Sequence, residues 1–395
     1  MSGPLSGVRI VDLSIALTGP YAVALLADQG AEVVKVERPG IGDIGRWVGV
    51  SVNGMSALYQ VCNRGKRSIA IDAQREEGRD IVARLVATAD VVVQNFRPGV
   101  MERIGLGYDQ LSAGRDDLIY VSLSGFGDVG PYASKGAYDT VIQAYGGIAV
   151  NQADAESGEP RFLNQTMADK VTALYAAQAV TAALFARERT GRGQHVRLAM
   201  LDAVVSFLWA DAAGNEVLLD ADGSQSSSFV QNFRPFRFRD GWGIATPTSD
   251  ADFAGLCQAL GVEGYDDPRV ATIQERTRNR DVSRQVMSRC YAAAAELTTA
   301  EAIGRMEARR VPCGVILSPA ELADDPHARA IGLLVDSVSP VVGRVRQPRH
   351  PAQFAADPAA LGHAAPALGQ HTDEILASLG LGDRIAALRA SGAVA

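Results

Sequence analysis

Residues 8–37, VRIVDLSIALTGPYAVALLADQGAEVVKVE, decide the fold of this chain. The apolar runs at residues 8–13 and 31–37 predict two buried strands. Between them, residues 21–28 predict a short apolar helix that ends before Gly30. A strand, a helix and a second strand in this order imply that the two strands run parallel.

The same alternation continues along the chain. Further strands are predicted at residues 68–72, 90–94 and 118–123, with an amphipathic helix at residues 74–88. Strands that alternate with helices indicate an open, doubly wound α/β sheet. Ligands of such sheets bind outside the carboxyl ends of the strands, and Arg38, Asn95 and Phe96 fall at such ends.

A second informative stretch is residues 164–202, NQTMADKVTALYAAQAVTAALFARERTGRGQHVRLAMLD. Almost every residue from 171 to 185 is apolar or small, which predicts a central helix buried on nearly all sides. Asp169 is the carboxylate at the front of this run. It can be interpreted as a helix cap or as an ionised, positioned nucleophile. The stretch alone does not decide between these interpretations.

Composition narrows the class of protein. A chain of 395 residues exceeds what one hydrophobic core usually serves, which predicts two domains. A net charge of −7 disfavours nucleic-acid binding. The four cysteines form no C-x-x-C pair and the five histidines lack ligand spacing, which predicts no metal site and no disulfide framework. With no signal-peptide pattern and no apolar run long enough for a bilayer, we expect a cytoplasmic protein without a membrane partner.

The composition changes after Trp209. Residues 219–228 predict a linker or mobile loop, residues 236–245 predict a hairpin, and helical segments follow. These features indicate a smaller α+β domain. The expected domains are a large α/β part, the smaller domain and a return to the large domain, at residues 1–215, 216–315 and 316–395.

One motif points elsewhere. The residues from Gly125 to Gly130 match G-x-G-x-x-G after a predicted strand, as in an NAD-dependent oxidoreductase. That interpretation needs a helix to begin at the loop, whereas Pro131 and a non-helical sequence follow. A glycine-rich turn is therefore the preferred interpretation. No G-x-S-x-G, H-E-x-x-H or P-loop is present in the sequence.

The sequence resembles the family III CoA-transferases, the group that contains formyl-CoA, carnitine and bile-acid CoA-transferases. The passages that carry the resemblance are VRIVDLSIALTGPYAVALLADQGAEVVKVERPGIGD, NRGKRSIAIDAQREEGRDIVARLVATADVVVQNFRPGVMERIGLGYDQL, ADKVTALYAAQAVTAALFARERTGRGQHVRLAMLDAV, and VPCGVILSPAELADDPHARAIG with GQHTDEIL. They cover most of residues 1–210 and 310–380. Residues 215–310 are similar to the family only loosely.

The resemblance implies a Rossmann-like large α/β domain built from both chain ends, a smaller inserted domain, and a homodimer of interlocked subunits. It implies that Asp169 is the nucleophile. The positions that it implies for CoA binding are Ala16, Leu17, Arg38, Ile71, Asn95, Phe96, Arg103 and Tyr138. Arginines can pair with the CoA phosphates and Phe96 can stack on a flat group. Arg103 could equally be a surface residue.

The implied reaction moves CoA from an acyl-CoA to a carboxylic acid through a mixed anhydride and an aspartyl-CoA thioester on Asp169. CoA enters as a substrate, with no covalently bound cofactor and no metal. The identities of the donor and acceptor acids are not predicted. A catalytically weak acyl-CoA-binding protein, in which Asp169 is only a cap, remains an alternative.

Two departures from the family, at Leu17 and in the lid region, bear on the substrate. Leu17 stands where formyl-CoA transferase has a Gln before its A-G-P turn, which favours a larger or more apolar acyl group. The aromatic residues Phe229, Phe233, Phe236 and Phe238 fit the same idea, or else form the core of a hairpin. No glycine-run lid is found around residues 224–243.

The same scaffold hosts α-methylacyl-CoA racemases, which are a further alternative. Racemases carry a catalytic His where this chain has Tyr138, and neutral tyrosine is a poor base near pH 7. The sequence therefore favours CoA transfer over racemisation.

Overall fold

The computed structural model describes residues 3–154, 156–220 and 233–395. The chain forms two compact units: the first combines Met1–Ala210 with Gly332–Ala395, and the second comprises Asp211–Ile331. Most of the predicted linker at residues 219–228, and Phe229, lie outside the described residues. The predicted domain boundaries at 215/216 and 315/316 stay predictions.

The strands of the described chain are β1 Arg9–Asp12, β2 Glu32–Glu37, β3 Ser51–Val52, β4 Met55–Ser56, β5 Lys66–Ala70, β6 Val91–Gln94, β7 Ile119–Ser124, β8 His195–Ala199, β9 Phe236–Arg237, β10 Trp242–Ala245, β11 Cys313–Val315, β12 Leu334–Ser339 and β13 Gly343–Pro348. Six of them form the central sheet in the order β5-β2-β1-β6-β7-β8, and every neighbouring pair is parallel. Numbered within the sheet, this is the Rossmann order 3-2-1-4-5-6. The direction of winding therefore reverses between β1 and β6.

The helices are α1 Thr18–Asp28, α2 Ala57–Cys62, α3 Glu76–Ala87, α4 Val100–Arg103, α5 Tyr108–Leu111, α6 Asp139–Tyr145, α7 Ile148–Asn151, α8 Met167–Thr190, α9 Met200–Leu208, α10 Gly214–Val217, α11 Asp250–Leu260, α12 Ile273–Arg278, α13 Arg280–Ala295, α14 Thr299–Ala308, α15 Pro319–Asp324, α16 Pro326–Ala330, α17 Thr372–Ser378 and α18 Ile385–Ala390. Helix α3 has two glutamates in its first turn, and α8 ends at Gly191 in the left-handed region, as helix ends commonly do.

A hydrophobic core covers each face of the sheet. On one face, residues of α3, α17 and α18 such as Leu85, Leu376 and Leu388 pack on alternate strand residues. On the other face, residues of α1 and α8 such as Leu26 and Val180 do the same. The chain end also joins the sheet edge, because Val394 forms an antiparallel bridge with Ile71 beyond β5. Residues from both ends of the chain thus complete one core.

The predicted βαβ unit is confirmed, although its helix begins at Thr18, earlier than the predicted residue 21. The later strands at residues 68–72, 90–94 and 118–123 are confirmed to within two residues. The glycine-rich turn is also confirmed, since no helix begins between Gly125 and Tyr138. Strand β8 was not predicted. In the smaller unit the predicted hairpin forms β9 and β10, and the buried Phe236 and Phe238 belong to its core. This favours the core interpretation of those two rings over acyl binding.

The expectation that α8 is buried on nearly all sides is wrong for the single chain. One face packs against α1 and the sheet, but Leu174 and Phe185 are 55% and 66% exposed, and Tyr175 and Gln178 lie on the same side. Apolar residues all round a helix predict burial only when every face has a partner. One face of α8 is therefore exposed in the single chain.

Candidate active site

The loop between β1 and α1 lies at the carboxyl edge of the sheet, beside the point where the winding reverses. Its backbone turns sharply, because Ala16 has a φ of 67°, which a residue with a Cβ rarely adopts. A Cβ at Gly19 would lie 2.3 Å from Ser14 Cβ, so glycine is needed for this close packing. A strained loop persists only where its surroundings hold it.

Asn95 holds the loop across the reversal point. Its Oδ1 accepts a hydrogen bond from the Ile15 N–H and its Nδ2 donates to the Ile15 carbonyl, each at 2.8 Å. Asn95 directly follows β6, whereas Ile15 follows the neighbouring β1. The side-chain amide thus continues the strand pairing beyond the last ladder residues and fixes the loop against β6.

Asp43 holds the loop from the other side. Its Oδ1 accepts hydrogen bonds from the backbone N–H groups of Ala16 and Gly45, at 2.7 and 2.8 Å. Its Oδ2 lies 2.8 Å from Lys35 Nζ, and both side chains are fully buried. The unusual backbone at Ala16 is therefore fixed by an ion-paired carboxylate.

Two buried lysines anchor the ends of the loop. Lys35 donates to the Ser14 carbonyl. Lys66 donates to the Pro20 carbonyl and to Asp12 Oδ2, each at 2.8 Å, and to Asn63 Oδ1 at 3.0 Å, which uses all three of its protons. Burial disfavours the charged ammonium and lowers the pKa of Lys66 to about 8, despite the opposing charge of Asp12.

The ion network extends to Glu37 and Arg46. The Arg46 guanidinium donates to both oxygens of Glu37, at 2.8 and 2.7 Å, and its carbon lies 3.8 Å from the centre of the Tyr59 ring. Burial raises the pKa of Glu37, but Arg46, together with Lys35 and Ser68, outweighs burial and holds that pKa below its usual value. The network therefore balances three carboxylates against three cations, as buried charges require: Asp12, Glu37 and Asp43 against Lys35, Arg46 and Lys66.

Thr18, the first residue of α1, connects this loop to α8. Its hydroxyl donates a hydrogen bond to Asp169 Oδ1. Among the described residues, none donates a hydrogen bond to Asp169 Oδ2, and this oxygen is not fully buried. One oxygen of the carboxylate is therefore held and the other is accessible.

The interpretation of Asp169 as a helix cap is wrong. Asp169 is the third residue of α8, and no described backbone N–H donates to its carboxylate. Instead its own N–H donates to Asp139 Oδ2 at 3.1 Å, so Asp139 on α6 satisfies the start of α8. Burial, with a contribution from the Asp139 charge, raises the pKa of Asp169 to about 6, although the Thr18 hydrogen bond acts in the opposite direction. At pH 7 the carboxylate is ionised but sits close to its titration range.

The other residues expected in CoA binding occupy varied positions. Arg38 directly follows β2 and Arg103 ends α4; both are exposed, and neither forms an ion pair with a described residue. Phe96 follows Asn95, and its N–H donates to Gln94 Oε1 at 2.8 Å. Tyr138 precedes α6 and is 72% exposed.

Two of the expected positions are enclosed. Leu17 is buried at the start of α1, and Ile71 is buried in the core, where it pairs with Val394. Ala16 and Leu17 lie in the loop that Asn95 holds through Ile15, and the adjoining Thr18 bonds to Asp169. Among the described residues, no hydrogen bond or ion pair joins Asp169 to Arg38, Arg103 or Tyr138.

Sequence reasoning missed Thr18, Asp139 and the buried lysines. A signal for the lysines exists: Lys35 stands in the apolar strand sequence EVVKVE, and Lys66 begins β5. For Thr18 and Asp139 no local signal distinguishes them from other loop residues.

No described helix combines the length and apolarity needed to cross a bilayer. No group of three or more His, Cys, Asp or Glu residues in the described part of the chain is arranged to hold a metal ion.

Comparison with known proteins adds the family. The profile of CoA-transferase family III matches residues 5–372. The succinate–glutarate CoA-transferase of Agrobacterium fabrum is 35% identical over 387 residues, which covers 95% of this chain and 96% of that protein. The acetyl-CoA:oxalate CoA-transferase of Acetobacter aceti is 33% identical, over 89% of each chain.

Solved structures agree with this similarity. A CAIB/BAIF family protein from Brucella suis superposes with a TM-score of 0.82 at 34% identity, covering 96% of this chain and all of that one. The protein Rv3272 of Mycobacterium tuberculosis gives a TM-score of 0.80 at 29% identity, covering 94% of this chain and 98% of its own.

Proposed function

The chain belongs to CoA-transferase family III, and from this premise we propose that Asp169 carries the transfer as a covalent intermediate. One observation supports this assignment above all: Asp169 has one oxygen held by Thr18 and one accessible, in a carboxylate ionised at neutral pH. An ionised, positioned carboxylate is a competent nucleophile towards an acyl carbon.

The proposed reaction begins when Asp169 Oδ2 attacks the carbonyl carbon of an acyl-CoA. The carbon–sulfur bond breaks, and a mixed anhydride and CoA thiolate form. The thiolate then attacks Cγ of Asp169, and the donor leaves as a carboxylate that carries Oδ2. The product of this half-reaction is an aspartyl-CoA thioester, so one difficult exchange is divided into easier ones.

The second half-reaction reverses these steps with another acid. The acceptor carboxylate attacks Cγ and displaces the thiolate, which gives a new mixed anhydride. The thiolate attacks the acceptor's acyl carbon, so a new acyl-CoA leaves and the Asp169 carboxylate is restored. No proton, oxidant or metal is consumed in the balance.

Binding of CoA is assigned to residues at the carboxyl edge of the sheet. Arg38 and Arg103 present guanidinium groups that suit phosphate oxygens. Phe96 offers a flat apolar face to adenine or the pantetheine arm. Tyr138 is exposed and directly precedes Asp139, whose carboxylate accepts the hydrogen bond from the Asp169 N–H. Ala16, Leu17, Ile71 and Asn95 complete the proposed set.

The subunit is proposed to function as a homodimer. The exposed apolar face of α8, with Leu174, Tyr175 and Phe185, is unusual on a central helix and would be covered by a second copy. Residue 169 heads the same helix, so such an interface would also shelter the approach to the carboxylate. A cytoplasmic location stays a prediction.

Assaying CoA transfer tests this function. The purified protein is mixed with succinyl-CoA or acetyl-CoA and a panel of isotope-labelled acids: succinate, glutarate, oxalate and longer aliphatic acids. We expect a labelled acyl-CoA by mass spectrometry, with the larger or more apolar acids preferred over oxalate because Leu17 replaces a polar residue. Asp169→Asn is expected to abolish the product.

A matched control is Asp252→Asn. Asp252 occupies the same third position in α11, where it completes a capping box instead. This variant should transfer CoA as the parent does. Exchange of the substrate α-proton in deuterated water without CoA transfer would instead identify a racemase, and CoA binding without either reaction would identify a binding protein.

A further inference from the structure

We propose that Thr18 is a second catalytic residue, whose hydroxyl stabilises the negative charge on Asp169 Oδ1 each time the aspartyl carbonyl carbon is attacked. This inference rests on the proposed covalent role of Asp169. It assigns different tasks to the two carboxylate oxygens: Oδ2 forms and breaks bonds, while Oδ1 accumulates charge.

The contacts of Asp169 define this asymmetry. Thr18 donates to Oδ1, whereas no described residue donates to Oδ2. An incoming acyl carbon can therefore approach Oδ2 without breaking a protein hydrogen bond. Once Oδ2 is acylated, Oδ1 is the carbonyl oxygen of the anhydride, and it can still accept the hydrogen bond from Thr18.

The charge balance shows when this hydrogen bond matters most. When CoA thiolate attacks Cγ, a sulfur–carbon bond forms and the electron pair of the carbonyl moves onto Oδ1. That pair returns as the bond from Cγ to Oδ2 breaks and the donor carboxylate leaves. The acceptor carboxylate attacks the same carbon in the second half-reaction, so Oδ1 becomes an oxyanion twice in each transfer. A donor already placed on that oxygen is the general device for this charge.

Thr18 is well placed to act without rearrangement. It is 4% exposed and starts α1, and the chain on either side is fixed. Lys66 holds the Pro20 carbonyl two residues later, and Lys35 holds the Ser14 carbonyl four residues earlier. Its branched Cβ also restricts its side-chain rotamer. The buried ion network therefore has a consequence for the reaction, because it sets where the hydroxyl points.

Kinetics of Thr18→Val and Thr18→Ser test the proposal. Valine keeps the shape of threonine and removes the hydroxyl, while serine keeps the hydroxyl. We expect Thr18→Val to lower kcat on the order of 10²-fold, with KM for acyl-CoA nearly unchanged. Thr18→Ser should recover most of the rate. The hydrogen bond from Thr18 keeps the pKa of Asp169 lower than it would otherwise be. Its loss in Thr18→Val should therefore raise that pKa and move the acid limb of the pH–rate profile to higher pH, in this variant only.

Thr172→Val is the matched control. Thr172 is buried one turn further along α8, but its hydroxyl donates to the Ala168 carbonyl at 2.7 Å and does not touch the carboxylate. This variant should keep the parental kcat and pH profile. The time course of the Asp169–CoA adduct in a single turnover adds a direct readout, since Thr18→Val should form it more slowly.

The outcomes separate the two proposals. A Thr18→Val enzyme with parental kcat, or a Thr18→Ser enzyme as slow as Thr18→Val, would overturn the role of Thr18 and leave that of Asp169 intact. If the parent protein forms no adduct on Asp169 and transfers CoA to no acid, both proposals fail together.

Discussion

Asp139 Oδ2 accepts a hydrogen bond of 3.1 Å from the backbone N–H of Asp169. Asp139 satisfies the helix backbone at the start of α8, so the side chain of Asp169 is available for the proposed nucleophilic attack. The arrangement has an electrostatic cost, because the Asp139 charge adds to burial in raising the pKa of Asp169 to about 6. Several measurable properties depend on this cost.

The rate of CoA transfer should fall on acidification. Only the ionised carboxylate attacks, so kcat/KM should decrease with an apparent pKa of about 6, and by about tenfold between pH 7 and pH 5. The measurement is a pH–rate profile with the protein's fold monitored at each pH. A flat profile down to pH 4.5 would contradict a nucleophile with this pKa.

Asp169→Asn should stabilise the protein at alkaline pH. A carboxyl whose pKa is raised in the folded state contributes stability that is fully present below pH 3.8 and lost as the pH rises through about 6. At pH 8 the ionised Asp169 therefore destabilises the fold, and its neutral replacement should raise the free energy of unfolding by about 1 to 3 kcal/mol. Urea unfolding at pH 8 and pH 4 tests this, and the gain should disappear at pH 4. Equal or lower stability at pH 8 would count against it.

Lys66→Met should be far more destabilising than Arg67→Met on the same strand. Lys66 is fully buried, so its loss removes three hydrogen bonds and leaves Asp12 with Lys35 at 3.8 Å, at a cost of about 3 to 5 kcal/mol. Arg67 forms an exposed pair with Glu374 and should cost about 0 to 1 kcal/mol. Urea unfolding of both variants gives the comparison. Similar losses of unfolding free energy in the two variants would show that the buried ion network does not stabilise the loop.

Asn95→Ala should loosen the β1–α1 loop. The Ile15 N–H would lose its acceptor, the Asn95 side chain. This hydrogen bond should contribute roughly 1.4 kcal/mol of protection, so hydrogen exchange at Ile15 should accelerate by at least about tenfold. Asn53→Ala is the control, because Asn53 makes a comparable but exposed bond to the Val341 carbonyl. Exchange at Ile15 that is unchanged by Asn95→Ala would mean that the loop is held without this clamp.

The oligomeric state tests whether a second copy covers the exposed face of α8. The parent protein should sediment as a dimer, and the double variant Leu174→Glu/Phe185→Glu should sediment as a monomer, because charged groups cannot be buried there without partners. Ile273→Glu, at an exposed apolar residue of α12, should leave the dimer intact. A monomeric parent, or a dimeric double variant, would contradict the proposed interface.

The sequence was sufficient for five of the six strands of the central sheet, because these are short apolar runs bounded by turns. Strand β8, HVRLA, was missed since its apolar residues alternate with polar ones and it follows a glycine-containing turn. The exposed face of α8 was missed for a different reason. Composition shows that a helix is apolar, but not whether its partner belongs to the same chain.

The site was predictable only in part. Asp169 and Asn95 were singled out from their place at a helix start and a strand end, and their roles stay predictions. Their supports were not singled out, because each contact joins distant parts of the chain: Lys66 and Asp12 are 54 residues apart, and Thr18 and Asp169 are 151 apart. A lysine in a strand is ordinarily exposed, and only the tertiary partners make its burial tolerable.

Trapping the covalent intermediate tests the central claim most directly. The protein is incubated with acyl-CoA, quenched with hydroxylamine or borohydride, digested, and mapped by mass spectrometry, alongside Asp169→Asn and Asp252→Asn. We predict modification of Asp169 in the parent and in Asp252→Asn, and no modification at this position in Asp169→Asn. Turnover of CoA between acids by a protein that is never modified at Asp169 would contradict the account.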